Sequence, residues 1–440
     1  MIEGRGPSLA DTAEHRFEAE PWTAAVIGLG YVGLPLALSA VDAGIPCIGF
    51  DVSASVVAEL RAGRSHVDDV SDGDLARALR DGLSVTDVPE ELAAADAIFV
   101  CVPSPLGRHR QPDLSYIEAA AATVARVVTP GTLVSLESTS YPGTTEDFLA
   151  APLIESGMVL DQDVFVAFSP ERVDPGSQFG LADIPKLVGG VTPTSGRVAA
   201  AAYRRFVSSV HLVSTARGAE MAKLLENTYR AVNIGLVNEI AQLSHELGID
   251  IWEVIEAANT KPFGFQAFYP GPGVGGHCIP LDPQFLAWRA REAKFATRFI
   301  DLAEQVNSSM PTYTAARVAD LLNQHGRPLH ATRILAVGVA YKRNVSDDRE
   351  SPAWEVVETL RSRGADVSVH DPLVGADRVK ARGYRSVELD EGIGEFDIAV
   401  ILTDHDALDL AGIAAQVPLV FDARGAYRRR GLKLHRGTAL

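Results

Sequence analysis

The sequence predicts an α/β protein of two Rossmann-like, doubly wound domains joined by a central all-helical region. Three observations carry this. Short apolar runs alternate with helical patterns over residues 23–215. Over 216–328 the apolar spacing is helical throughout. Over 329–440 strand-like runs and helical patterns alternate again. Alternation of this kind builds parallel sheets with helices on both faces. Residues 1–22 are mostly polar and charged and read as a loose N-terminal extension.

In chain order, TAAVIGLG reads as a strand and LPLALSAVDAG as a helix; IPCIGFD, AIFVCVP, TLVSLES, VFVAFSP and VHLVS are further strands, with helices between them. GAEMAKLLENTYRAVNIGLVNEIAQLSHELG then carries apolar residues at helical spacing, and a second helical stretch follows over about 283–325, interrupted at Pro311. These helices show more apolar face than one helix pair can hide, so a homodimer or larger homo-oligomer is expected, with its contacts in the middle region. TRILAVGVAY, DVSVHDP, FDIAVILTDH and PLVFDARG are strands, and PAWEVVETLRSRG a helix. A ligand is expected at the carboxyl ends of such strands.

Composition narrows the function. The 440 residues include 57 acidic and 40 basic side chains, a net charge of −17. That argues against a nucleic-acid or anionic-membrane partner, while leaving room for a small anionic ligand in a local basic pocket. No apolar run reaches the ~18 residues of a membrane span, and no apolar h-region marks a secretory signal. Three cysteines, Cys47, Cys101 and Cys278, share no metal-ligand spacing, so no metal is expected and the setting reads as cytoplasmic and reducing.

GLGYVG supplies Gly28, Gly30 and Gly33 between a strand and a helix, with Tyr31 and Val32 inside the turn. The first glycine permits the tight turn, the second lets backbone approach a pyrophosphate, and the third lets the helix pack on the strand. Asp51 ends the next strand, placed for a ribose 2′-hydroxyl, and no arginine follows to neutralise a 2′-phosphate. The cofactor expected is NAD. CVPSP, with Val102, Pro103 and Ser104, and ESTSYPGTT follow two further strands, where this fold binds ligands; ordinary turn chemistry is the alternative.

Glu171, in FSPERVDPG, follows a strand and is either a base for water or a surface glutamate. Lys223 and Asn227 lie one turn apart on one helix face among apolar neighbours. A lysine there either snorkels to solvent or is held for a polar site. GPGVGGHCIP presents one thiol, Cys278, in a loop of four glycines. Such a loop lets amides approach a ligand and offers a thiolate to a carbonyl carbon. His277 is adjacent, but neighbours in an extended loop point apart, so a Cys–His dyad is not expected. Asp282 either reaches the site or caps the helix that starts near Pro283.

The stretches AVIGLGYVGLPLA, CVPSP, ESTSYPGTT, FSPERVDPG, AEMAKLLENTYRAVNIGLVNE, GPGVGGHCIPLDP and YKRNVSDDRESPA, in this order, resemble the UDP-glucose/GDP-mannose dehydrogenase family over about residues 23–425. TKPFGFQAFYPGPGVGGHCIPLDP is most similar to its UDP-N-acetylglucosamine 6-dehydrogenase branch. The resemblance implies oxidation of the C6 hydroxymethyl of a nucleotide-activated hexose to a carboxylate, with two NAD per turnover. It implies that Cys278 is the nucleophile and that Lys223, Asn227 and Asp282 are active-site polar residues. It makes Glu171 the base and Thr139 the holder of a water. Lys342 and Arg424 match residues on the nucleotide sugar, Tyr269 and Gly275 complete that substrate set, and Arg349 matches a residue near the NAD pyrophosphate. Two departures stand out. Many UDP-glucose enzymes have serine before the cysteine and lysine after Cys-Phe-Pro; here His277 and Leu281 stand there. The arginine that many members lend to a neighbouring subunit's sugar site has no clear match, with Lys261 nearby. A one-step NAD-dependent hydroxyacid dehydrogenase and a catalytically silent sugar-nucleotide-binding protein are the alternative functions.

Overall fold

The computed structural model of the protein describes residues 9–173, 183–434 and 436–440. The chain divides into two compact units, Met1–Glu226 with Gln284–Lys294, and Asn227–Pro283 with Phe295–Leu440.

The first unit is built on an eight-stranded sheet. Its strands are β1 (Ala24–Ile27), β2 (Cys47–Phe50), β3 (Leu83–Thr86), β4 (Ala97–Val100), β5 (Thr132–Leu136), β6 (Val164–Phe168), β7 (Lys186–Gly190) and β8 (Val210–Val213). Their spatial order is β3-β2-β1-β4-β5-β6-β7-β8. Every residue of β1, β4, β5 and β6 is buried, as expected of strands covered by helices on both faces. The order reverses between β1 and β4, the switch point where open α/β sheets bind ligands. One expectation is corrected: the sheet is not wholly parallel, because β7 runs antiparallel to β6. Residues 169–185 hold three prolines and two glycines, a composition that disfavours the crossover helix a parallel return usually uses.

The N-terminal segment is not loose where it is described. Leu9–Ala19 is a helix packed on the helix Pro193–Tyr203. Phe17 is fully buried, its ring edge-on to Trp22 at 5.3 Å, and the Trp22 indole N–H donates to the Phe17 carbonyl. Arg16 pairs with Asp96, and Arg197 with Glu14. Two large aromatics in a polar stretch anchor it; residues 1–8 lie outside the described residues.

A helix of 32 residues, Ala216–Leu247, begins in the first unit and ends in the second. Pro311 does not interrupt the later helical stretch. Arg298–Gln324 is one helix through it, and the break falls before Arg298, where Lys294 takes φ 57°. A proline inside a helix removes one N–H donor, and here Met310, Pro311, Thr314 and Ala315 are buried together, so packing holds the turn.

The second unit carries a six-stranded sheet of order β11-β10-β9-β12-β13-β14. Its strands are β9 (Arg333–Val337), β10 (Asp366–His370), β11 (Arg385–Ser386), β12 (Ile398–Ile401), β13 (Val420–Asp422) and β14 (Gly437–Ala439), all parallel. It repeats the turn chemistry of the first sheet. Gly28 N–H bonds the Phe50 carbonyl at φ 90°, and Gly338 N–H bonds the His370 carbonyl at φ 80°. Asp51 after β2 accepts from Leu29 N–H, and Asp371 after β10 accepts from Val339 N–H.

Candidate functional site

In the first unit the three glycines of GLGYVG have three separate reasons. A methyl on Gly28 would stand 2.6 Å from the Cys101 carbonyl oxygen, and one on Gly33 would stand 1.8 Å from the Gly28 carbonyl oxygen. A methyl on Gly30 meets nothing within 4 Å. Gly28 and Gly33 therefore serve the fold, while Gly30 leaves open backbone where a pyrophosphate needs it. The helix Gly33–Asp42 starts there, and Val32 at its N-cap supplies no side-chain acceptor, so its first N–H groups suit an anion. Tyr31 is exposed. Asp51 receives Leu29 N–H at 3.0 Å on one oxygen and Ser53 N–H at 2.9 Å on the other. A carboxylate so held keeps lone pairs for a hydroxyl. Val102 and Ser104 are half-buried and Pro103 exposed just past β4. These residues fit NAD.

Past β5, β6 and along the long helix stands a polar cluster. Lys223 does not snorkel: it is 6% exposed, and its ammonium donates to Thr139 Oγ1 at 2.6 Å. Glu171 Oε1 accepts from the N–H groups of Arg172 and Val173, each at 2.6 Å. Burial alone would raise the Glu171 carboxyl, but the Lys186 ammonium, those two N–H groups and the Lys223 charge bring it below the usual range. It is an ionised, half-buried carboxylate, not a free surface glutamate. The last residues of its motif, 174–176, lie outside the described residues.

In the second unit the cysteine loop is set by tight packing. Methyls on Gly273 and Gly275 would stand 2.8 and 2.7 Å from Pro352, and one on Gly276 would stand 2.8 Å from the Tyr341 ring. Gly273 and Gly276 take φ 133° and 90°. The glycines thus let the loop lie against 341–352, a reason for them that the sequence reading did not supply. Gly276 N–H bonds the Glu350 carbonyl at 3.3 Å. Cys278 is exposed, whereas Cys47 and Cys101 are buried, and burial pushes the Cys47 thiol up to about 12. The Cys278 carbonyl accepts Asp282 N–H at 2.8 Å, so the chain has turned helical as the helix Asp282–Glu292 begins. His277 turns to Asp347, 3.4 Å away.

Asn227 Nδ2 donates to Asp282 Oδ2 at 2.6 Å, and Asp282 is 1% exposed. Arg424 lies against Gly271, where a methyl would stand 2.6 Å from its guanidinium, and its Nε–H donates to the Leu402 carbonyl. Arg349 forks onto Asp347 at 2.8 and 2.9 Å, and Lys342 is half-buried one residue beyond Tyr341. Tyr269 is 40% exposed and stacks on Trp252 at 6.0 Å. Lys261 is exposed, over the Phe263 ring.

Glu220 escaped the sequence reading. Fully buried, it accepts from Thr145 N–H and Oγ1–H, Gly143 N–H and Ser140 Oγ–H, which ties down the loop that carries Thr139. Burial pushes its carboxyl up to about 7 against the pull of those donors. Its only sequence signal is a carboxylate one turn before Lys223 on an apolar helix face. Among the described residues no three His, Cys, Asp or Glu side chains group to hold a metal, and no helix is long and apolar enough to cross a membrane.

Comparison with known proteins identifies the family. Residues 23–207 match the NAD binding domain, 217–309 the central domain and 335–429 the UDP binding domain of the UDP-glucose/GDP-mannose dehydrogenase family. The chain is 38% identical over 389 residues to UDP-N-acetyl-D-mannosamine dehydrogenase of Pyrococcus horikoshii, across 87% of this chain and 89% of that one. It is 37% identical over 419 residues to NDP-N-acetyl-D-galactosaminuronic acid dehydrogenase of Ralstonia nicotianae, across 92% and 96%. The solved structure of UDP-D-ManNAc dehydrogenase from Pyrococcus horikoshii is similar at TM-score 0.85 and 35% identity, over 94% of this chain and 98% of that one. These relatives are named for sugars other than the N-acetylglucosamine of the branch that the cysteine string resembles. The chain belongs to the UDP-glucose/GDP-mannose dehydrogenase family, oxidoreductases of nucleotide sugars, and carries that family's NAD binding domain.

Proposed function

We propose that the protein is a nucleotide-sugar 6-dehydrogenase that oxidises a C6 hydroxymethyl to a carboxylate through a Cys278 thioester. The observation that carries the reading is Cys278 itself: an exposed thiol shortly before a helix, in a loop whose glycines leave no room for a methyl. NAD supplies the hydride acceptor for each of two oxidations. Lys223, beside Thr139, stabilises the C6 alkoxide. Cys278 Sγ adds to the aldehyde as a thiohemiacetal, which prevents its escape before the second oxidation leaves a thioester. Glu171 takes a proton from the attacking water, and Asn227 and Asp282 hold polar groups about the reacting carbon. One CH2OH, one water and two NAD+ give one carboxylate, two NADH and three protons. On this reading Gly28, Gly30, Gly33, Asp51, Tyr31 and the 102–104 turn bind the dinucleotide, Lys342, Arg424, Tyr269 and Gly275 bind the sugar nucleotide, and Arg349 is assigned to the NAD pyrophosphate.

For substrate we favour a UDP-activated N-acetylhexosamine over UDP- or dTDP-glucose. Leu281, half-buried, offers apolar surface where many UDP-glucose enzymes have lysine, and relatives named for N-acetylmannosamine bring that sugar beside N-acetylglucosamine. The test measures NADH formed per sugar, and kcat/KM, across UDP-N-acetylmannosamine, UDP-N-acetylglucosamine, UDP-glucose and dTDP-glucose. Two NADH per sugar are expected; one would indicate a single-step dehydrogenase, and none a silent binding protein. Cys278→Ser should lower turnover at least ~10³-fold with NAD affinity intact. Near-normal NADH release by that variant would remove covalent catalysis.

A further inference from the structure

Lys186 is 2% exposed, and nothing in the chemistry above uses it. Its ammonium donates to Glu137 Oε2 at 2.6 Å and stands 3.5 Å from Glu171 Oε2. Glu137, 1% exposed, also accepts from the Tyr203 hydroxyl, which is bonded to Ser135 Oγ at 2.8 Å. Ions so far from water carry a large desolvation penalty, and replacing such a cluster by apolar side chains is often no less stable. Stability alone does not account for it. The sheet suggests what does. Glu137 follows β5 and Glu171 follows β6, so both stand at the carboxyl edge of parallel strands. Lys186 opens β7. In a parallel β7 that first residue would lie at the opposite edge. β7 is antiparallel, with Ala167 opposite Gly190 and Phe168 opposite Gly189. The same register carried three residues further sets Lys186 across from Glu171.

The geometry points to Lys186 as a positioning residue for the water-activating carboxylate: anchored on Glu137, its ammonium holds Glu171 ionised and in place. The reversal of β7 is what brings it there. This rests on Glu171 being the base of the proposed hydrolysis. The charged and titratable groups around the pair are Glu137 after β5, Cys101 after β4, Tyr203 from the helix Pro193–Tyr203, and Lys223 from the long helix. Of these only Lys223 is a second cation, and it acts on Glu171 less than Lys186 does. Without Lys186 the Glu171 carboxyl loses the largest of the influences that hold it ionised, and it rises. Its ionised form then persists only at higher pH.

The experiment follows the acidic limb of the kcat–pH profile with the sugar nucleotide that the wild-type enzyme turns over. Lys186→Met should move that limb to higher pH and lower kcat at pH 6 at least about tenfold, a fraction of the ~10²–10⁴-fold that a wholly lost base costs. KM for the sugar and NAD affinity should hold, and Lys186→Arg should restore the limb. Glu137→Gln leaves the ammonium to Glu171 alone and should move the limb lower. A limb unmoved in Lys186→Met overturns the proposal. If that variant does not fold, Glu137→Gln decides: a limb that stays or rises overturns it. Glu171→Gln separates the two readings, by single-turnover thioester hydrolysis. An unimpaired Glu171→Gln sinks the base assignment itself, whereas an impaired one with unmoved limbs in the other variants sinks only the role of Lys186.

Discussion

Two glycines three residues apart, Gly30 and Gly33, show how much one hydrogen in place of a methyl can mean. At Gly33 the added carbon would overlap the Gly28 carbonyl oxygen at 1.8 Å, backbone against backbone. Nothing flexible is there to give way, so Gly33→Ala should cost about 1–3 kcal/mol or more of stability. At Gly30 the added carbon meets nothing, and φ there is not in the left-handed region. Gly30→Ala should therefore melt close to wild type, yet weaken NAD binding at least about tenfold, about 1.4 kcal/mol, because the methyl takes space meant for the pyrophosphate. Calorimetric melting and NAD titration of both variants check this. A Gly30→Ala protein that binds NAD normally would leave the cradle without its reason. The same contrast marks the cysteines. Cys47 and Cys101 are core residues whose thiols burial keeps protonated, and Cys278 is the exposed one.

At the scale of elements, the second sheet reuses the β1–turn–β2 device with a different emphasis. Asp51 and Asp371 are both half-buried as residues, but the side chains of Asp371 and His405 are enclosed. Asn344 N–H donates to His405 Nδ1, and His405 Nε2–H donates to Asp371, so both bonds fix one tautomer and tie the loop bearing Lys342 to β10. Asp371 also accepts from Val339, Ala340, Leu373 and Val374 N–H groups. Burial opposes its ionised form, but His405 and these donors bring the carboxyl from 3.8 to about 2. Its folded value lies below the unfolded one, so the stabilisation is whole above about pH 4 and fades as pH falls through about 2. Asp371→Asn should cost about 2 kcal/mol at pH 7, and the gap to wild type should narrow between pH 4 and pH 2. Urea melts across that range test it; a gap constant with pH would refute the assignment.

Much of this was readable in advance. The strands that carry the cofactor turn, the paired helix residues Lys223 and Asn227, and the loop of Cys278 announce themselves through apolar runs and glycine spacing. What escaped has a physical cause. The helix Leu9–Ala19 is held by two aromatics among polar residues, too few to set a period. The direction of β7 is set by its pairing with β6, which no local pattern in the strand itself reports. Lys186, Glu220 and His405 are polar residues whose meaning lies in partners distant along the chain, and no local pattern reports those.

At the scale of the whole molecule, the 32-residue helix Ala216–Leu247 spans about 48 Å at the ordinary rise. Leu225, Tyr229, Leu236, Ile240, Leu243 and Leu247 are all exposed along it, at steps of three, four and seven. Those steps keep them on one stripe. Single exposed leucines are normal on a monomer, but a continuous apolar stripe marks an interaction surface. A second copy is the simplest cover, since a two-fold axis sets the same stripe against itself. The protein is therefore expected to sediment at micromolar concentration as a dimer or larger, not as a 46.9 kDa species. The double variant Leu236→Asp/Leu243→Asp places two carboxylates where the stripe would meet its copy. Desolvating them, and bringing like charges together across the axis, should drive the variant to a monomer. Both side chains are exposed within one chain, so the fold of each unit should survive, and circular dichroism with NAD titration checks that. Wild-type protein that sediments as a monomer, or a variant that remains a dimer, would place the subunit contact elsewhere or remove it.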